Sequence, residues 1–130
     1  MKLVTDFNEY QILDLNKGKK LESWAGIILN RPDPQVIWEK EESSNWEQAH
    51  ATYDRSNTGG GKWHINKNVP TSWIISYKNL KFNLKLMGFK HTGLFPEQAY
   101  NWNLIREKIK SANREVKVLN LFAYNGAATI

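Results

Sequence analysis

Apolar and polar positions alternate most cleanly over residues 80–87, where Leu80, Phe82, Leu84 and Leu86 interleave with Lys81, Asn83 and Lys85. A period of two places the first set on one face of a strand and the lysines on the other. Residues 63–65 and 73–77 read as further strands. Asn79 falls between residues 73–77 and 80–87, where a tight turn makes a hairpin. Upstream, residues 10–15 form a short apolar-rich run ended by Asn16-Lys17-Gly18, which supplies hairpin turn chemistry. Residues 21–29 follow as one run containing Trp24. Arg31-Pro32-Asp33-Pro34 then interrupts regular structure, because each proline lacks an N–H and holds its predecessor extended. Residues 36–38 resume as a strand. Residues 39–58 are polar and weakly patterned, and read as a loop with a short helical turn over 46–51. Gly59-Gly60-Gly61 is then a turn. No Lys-Ser/Thr pair follows it, so it is not a phosphate-binding P-loop, and a nucleotidase or kinase is set aside.

The period changes after Gly88. Over residues 96–112, Ala99, Trp102, Ile105, Ile109 and Ala112 recur every three to four positions and share one face of a helix. Pro96 suits its first position, Glu97 the positive end of its dipole, and Lys108 and Lys110 the negative end. Asn113-Arg114 closes it. Residues 116–122 are β-branched and apolar, and predict a strand buried on both faces. It runs into Ala123-Tyr124-Asn125-Gly126 and a stretch of small residues.

Composition narrows the function classes. The 130 residues fit one ordinary domain, with sixteen aromatic side chains (Trp 6, Tyr 5, Phe 5) to fill a core. There is no cysteine, so disulfides, thiolate chemistry and Cys-based zinc sites are excluded. His50, His64 and His91 lie far apart without metal-ligand spacing, and no metal is expected. No apolar run approaches the ~18 residues of a membrane span, and the N-terminus lacks the apolar core of a signal peptide. A cytoplasmic protein without a membrane partner is the default. The net charge of +5 permits a nucleic-acid partner without requiring one.

Candidate chemistry gathers at two places. A strand delivering a glycine turn at the edge of a sheet is how many nucleotide-type folds open, since glycine lets the backbone pass close to a ligand. With only Gly126, where a dinucleotide fingerprint has three glycines, a plain strand-to-helix turn fits as well. The second place is residues 89–98, where a threonine hydroxyl, a glutamine amide and aromatic rings lie close together. Taken together, the strings FKHTGLFPEQAYNW and VLNLFAYNGAAT resemble the S-adenosylmethionine-dependent methyltransferases related to the bacterial large-subunit rRNA cytosine-C5 methyltransferases. The resemblance extends upstream, in the right order, through Ile12-Leu13-Asp14, Lys20-Leu21-Glu22, Arg31-Pro32-Asp33-Pro34-Gln35, the triple glycine with Trp63, and Trp73.

This resemblance implies an α+β chain. A small antiparallel β-rich N-terminal domain (residues 1–88) precedes the first helix and strand of a Rossmann-like methyltransferase domain (residues 89–130). S-adenosylmethionine is the implied cofactor. Asn120, Phe122, Ala123, Tyr124 and Gly126 would form the turn beneath its methionine part, with Gly126 at closest approach. Ala128 stands where the motif often carries a second glycine, which narrows the room for the ligand. Phe95 would supply apolar contact, and Thr92 and Gln98 hydrogen bonds. His91 is a candidate base, but without a paired acid or nucleophile a structural histidine is the safer reading. The acceptor of the parent enzyme would be RNA, ribosomal by resemblance. Neither an acidic residue for the cofactor ribose nor the cysteine needed for cytosine C5 chemistry is in evidence. The chain is therefore expected to be an N-terminal piece, inert alone, with a poorly supported C-terminal stretch or self-association that hides it. The competing reading is a non-enzymatic β-rich nucleic-acid-binding module. It would use Lys78, Lys81 and Lys85, with Trp63 or Trp73 as stacking platforms.

Overall fold

The structure is a computed structural model that describes residues 4–40, 44–121, 123, 124 and 126–129. Among these residues lie strands β1 (Tyr10–Asn16), β2 (Lys19–Trp24), β3 (Ile27–Pro32), β4 (Ala51–Arg55), β5 (Gly61–Ile65), β6 (Trp73–Tyr77) and β7 (Leu80–Leu84). Helix α1 (Ala99–Ser111) follows, and 3-10 turns occupy Ser44–Gln48 and Pro96–Gln98. Strands β1 to β5 form one sheet in sequence order, and β6 and β7 form a separate hairpin. The chain is mixed α+β, as expected, but its large sheet is not wholly antiparallel. Strands β3 and β4 run parallel, through the pairs Leu29↔Ala51 and Asn30↔Thr52. The connection between β3 and β4 is long enough for the crossover that a parallel pair requires and a tight turn cannot supply.

Two-residue turns set the first three strands. Lys17 and Gly18 (φ 46° and 73°) join β1 to β2, and Ala25 and Gly26 (φ 50° and 87°) join β2 to β3. Positive φ at both central residues matches the twist of adjacent strands. The expected single run over 21–29 is therefore two strands. Alanine is a poor left-handed residue, so Ala25 hid the turn that Gly26 alone suggests. The loop expected over 39–58 is also corrected at its end: Ala51 and Tyr53 alternate inward on β4, clamped between β3 and β5. Pairing on both sides overrides a weak local pattern. Residues 36–38 are not a strand. Val36 is buried, and the carbonyls of Val36 and Trp38 accept from the Gly18 and Lys17 amides at 2.7 and 3.0 Å, so the segment bonds to a turn instead of a ladder.

The triple glycine is the β4–β5 hairpin turn. Gly61 sits opposite Arg55, where a Cβ would lie 2.1 Å from the Asp54 carbonyl oxygen. On β7 the period-two reading holds, with Phe82 and Leu84 buried and Lys81, Asn83 and Lys85 exposed, although the ladder ends at Leu84.

One face of the five-stranded sheet, carrying Trp24, Leu29 and Ala51, joins a single core with Trp73, Ile75, Tyr77, Phe82 and Leu84 of the β6–β7 hairpin and with Leu94, Ala99 and Ala127. The core is thus continuous across residue 88. On the opposite face the segment after β3 is tied down by Trp46 Nε1 donating to Asp14 Oδ2 (2.8 Å) and by Asn16 and Lys40 exchanging bonds of 3.1 and 2.9 Å. The helix forms as its periodicity predicts. Trp102 meets the Tyr77 and Phe82 rings at 5.7 and 5.9 Å, and Asn113 (φ 52°) ends the helix in a left-handed conformation.

The predicted buried strand over 116–122 is not found. Residues 116–121 are without ladder pairing, Val118, Leu119 and Leu121 are 59%, 82% and 67% exposed, and Phe122 lies outside the described residues. A strand exists only where a neighbour satisfies its amides and carbonyls, and no strand runs beside this one among the described residues.

Candidate functional site

The segment before α1 crosses the molecule without regular structure until Pro96. Leu94 anchors it in the core, Gly93 turns it with φ 102°, and the Gln98 amide donates to the Phe95 carbonyl at 3.0 Å to start the 3-10 turn. From Gln98 the chain winds into α1, which places Gln98, Asn101, Trp102 and Ile105 on one face at spacings of three and four.

The second element is the turn after residue 121. The Gly126 amide donates to Ala123 O (2.8 Å) and the Thr129 amide to Gly126 O (2.7 Å). Tyr124 and Gly126 adopt φ 53° and 78°, a region glycine enters without cost and tyrosine does not. Asn120 Nδ2 donates to Thr129 Oγ1 at 2.7 Å and ties the two ends of the turn together.

These two elements border an open cavity of about 770 Å³, whose lining includes Phe95, Gln98, Asn101, Asn120, Ala123 and Tyr124. Trp102, Ile105, Ala127 and Ala128 add apolar surface, and Glu97 is its one carboxylate among the described residues. Phe95 and Tyr124 pack against each other across the two segments, tilted, with ring centroids 4.9 Å apart, and His91 meets Phe95 edge-on at 5.2 Å. Gln98 Oε1 accepts from Asn101 Nδ2 (2.8 Å), which leaves the Gln98 amide nitrogen to donate.

Of the residues singled out in the sequence, Phe95, Gln98, Asn120, Ala123 and Tyr124 come together around this cavity. Gly126 shapes the turn beneath it without lining it. Thr92 stands elsewhere: it is fully buried, lines no part of the cavity, and its hydroxyl meets no partner among the described residues. Phe122 lies outside the described residues. Asn101, Trp102 and Ile105 were missed as lining residues, although their helical spacing from Gln98 carries the signal.

The other candidates are held in place. His50 Nδ1 accepts from the Ile28 amide (3.1 Å), and His64 pairs with Asp54 across the β4–β5 ladder (3.2 Å). Burial, followed by the charges of Lys90 and Arg31, holds the His91 imidazole below its ordinary pKa and favours the neutral ring. Among the described residues no group of acids and histidines could hold a metal. Trp73 is buried and donates to Trp24 O (3.0 Å), so it offers no stacking face. Trp63 donates to the carbonyls of Met87 (2.9 Å) and Phe89 (3.2 Å). Lys78 pairs with Asp6 (3.0 Å) and Asn103 (2.7 Å), whereas Lys81 and Lys85 face solvent. No helix among the described residues is long and apolar enough to cross a membrane.

No protein-family model matches the chain. Over 50 residues, 38% of the chain, it is 44% identical to the ribosomal RNA large subunit methyltransferase K/L of Shewanella frigidimarina, a stretch that spans 6% of that protein. Its structure superimposes on the SAM-dependent methyltransferase from Agrobacterium tumefaciens with a TM-score of 0.83 at 30% identity, covering 93% of this chain and 39% of that one. A putative SAM-dependent methyltransferase from Streptococcus mutans shares the fold at 15% identity and a TM-score of 0.60, with 96% and 35% covered. The chain therefore spans well under half of each relative. In sequence the chain is similar to a ribosomal RNA large subunit methyltransferase, and in fold to SAM-dependent methyltransferases.

Proposed function

We propose that this chain supplies one wall of an S-adenosylmethionine site, and that the protein it represents methylates RNA. The observation that carries the reading is that Phe95 and Gln98 meet Asn120, Ala123 and Tyr124, distant in sequence, around one cavity. The donor set fits the cofactor. Phe95 and Tyr124 both line the cavity, and aromatic rings attract a sulfonium cation by about 0.5–2 kcal/mol. Gln98, Asn101 and Asn120 offer amide donors and acceptors to a zwitterionic amino-acid end. When bound, S-adenosylmethionine supplies the methyl group. Phe95 and Tyr124 would exclude water from the sulfonium, and the Gly126 turn would hold the backbone beneath.

Cofactor binding, not methyl transfer, is the contribution assigned to these residues. The sequence has no cysteine, so it holds no thiolate to add to a cytosine ring and make C5 nucleophilic. RNA as the acceptor rests on the named activity of the Shewanella relative. Lys81 on the exposed face of β7 and Lys85 just beyond its end are the residues proposed to meet its phosphates. Self-association through the exposed Val118, Leu119 and Leu121 is proposed as well, to be read by sedimentation at two concentrations.

Calorimetric titration with S-adenosylmethionine tests the cofactor reading. Weak saturable binding is expected, with Phe95→Ala and Tyr124→Ala each losing roughly five- to tenfold, the equivalent of about 1 kcal/mol. No binding at millimolar cofactor, or binding indifferent to both substitutions, sinks the proposal.

A further inference from the structure

The segment that carries Phe95 and Gln98 has no ladder of its own, yet its start is held from the five-stranded sheet by two side chains. Arg31 on β3 donates Nη1 to the Lys90 carbonyl at 2.9 Å. Trp63 on β5 donates Nε1 to the carbonyls of Met87 and Phe89. Alternation along β3, β4 and β5 places Arg31, Leu29, Ala51, Tyr53 and Trp63 on the same face of the sheet, in register across three strands.

Arg31 is fixed more tightly than any exposed arginine. It is 5% exposed, its Nε and Nη2 donate to the two oxygens of the fully buried Glu22 at 2.6 and 2.9 Å, and it lies 5.0 Å over the Trp24 ring. Glu22 accepts further from the Tyr10 hydroxyl (2.6 Å) and pairs with Lys20 (3.3 Å). The two-pronged carboxylate bond locks the guanidinium plane, so the third arm can point only at residue 90. A lysine would have a single charge centre and could not make both contacts. Beyond Lys90 the segment separates two hollows. Phe95 and Glu97 line both the large cavity and a cleft of about 170 Å³ on its other side, which Arg31, Lys20 and Lys90 border.

The geometry points to Arg31 as a positioning residue for the cofactor wall: locked on Glu22, it holds the Lys90 carbonyl and so fixes where Phe95 and Gln98 stand. This rests on the cofactor reading for its consequence, though not for its structural content. The β-rich part of the chain then sets the geometry of the cofactor site in addition to any contact it makes with RNA.

Two substitutions in the full chain test it. Arg31→Lys keeps a positive charge opposite Glu22 and removes the bond to Lys90. Trp63→Phe removes the other attachment and leaves the Glu22 pair untouched. Amide hydrogen exchange is expected to accelerate at least tenfold at Gln98 and Ala99 in each variant, with the Leu21 and Trp24 amides changed less than threefold. Unchanged exchange at Gln98 and Ala99 overturns the proposal. So does equal acceleration throughout the sheet, which marks Arg31 as merely stabilising. If Arg31→Lys does not fold, Trp63→Phe decides by the same criteria. Titration with S-adenosylmethionine completes the test, with about tenfold weaker binding expected for Arg31→Lys. Binding equal to the parent chain refutes the positioning role and leaves the cofactor reading standing. If the parent chain itself does not bind, the cofactor reading fails, and the exchange result alone decides whether Arg31 holds the segment.

Discussion

Replacing Gly61 with alanine separates a structural glycine from a ligand-binding one. Gly61 has φ 153°, and a Cβ there would meet Asp54 O at 2.1 Å and the Tyr53 ring at 2.8 Å. Strain at such a φ costs about 1–3 kcal/mol for a residue with a side chain. The clash is with backbone, so β5 must retreat by about 1 Å from a partner normally ~4.8 Å away. That opens the end of the ladder at Arg55↔Gly61 and Asp54↔Lys62, at about 1 kcal/mol per lost bond. Tyr53 cannot swing aside freely, because it is buried and edges onto Trp63 at 5.3 Å. The total is about 3–5 kcal/mol, which lowers Tm by roughly 10–20 °C in a chain of this size. Gly60→Ala is the control: its φ is 74° but its Cβ meets open space, so only about 1–2 kcal/mol is expected. Urea unfolding followed by tryptophan fluorescence measures both. Equal losses for the two variants would refute the steric argument and reopen the triple glycine as a binding loop.

Four further outcomes follow from particular contacts. Burial raises the Glu22 pKa, but the hydrogen bond and charge of Arg31, with help from Lys20 and the Tyr10 hydroxyl, outweigh it and leave the carboxyl below its ordinary 4.5. Its stabilisation is therefore complete above that value and lost as pH falls through the lower, folded pKa; acid unfolding of Glu22→Gln should lack this step. Leu29→Ala removes a fully buried side chain from the sheet face and should cost about 2–5 kcal/mol by denaturant titration. Asn113→Gly relieves a left-handed residue at the end of α1 and should stabilise by about 0.5 kcal/mol, read as a small rise in Tm. Lys81→Gln with Lys85→Gln should flatten the salt dependence of single-stranded RNA binding by a slope of about 1.4, whereas Lys78→Gln, already bonded to Asp6 and Asn103, should leave it unchanged.

Local chemistry and periodicity determined much of this protein from sequence alone. The alternation around Lys81 to Lys85, the helix from Pro96 with its Asn113 stop, and the turns at Lys17-Gly18 and Gly59–Gly61 are decided by side-chain spacing and backbone preference within a few residues. The resemblance of residues 89–98 and 120–126 to a cofactor-binding methyltransferase was legible for the same reason, since both are short contiguous strings. Tertiary structure decided the rest. Ala51 to Arg55 became a strand because β3 and β5 flank it, and residues 116–121 are not one because nothing among the described residues pairs with them. Thr92, polar and adjacent to the cavity residues in sequence, lies fully buried away from the cavity. Glu22 and Arg31 are nine residues apart on neighbouring strands, and only the register of β2 against β3 makes them a buried pair that reaches Lys90. Periodicity assigns a residue to a face. Which partner waits on that face is fixed by long-range packing, and the cavity and the segment that walls it exist only at that level.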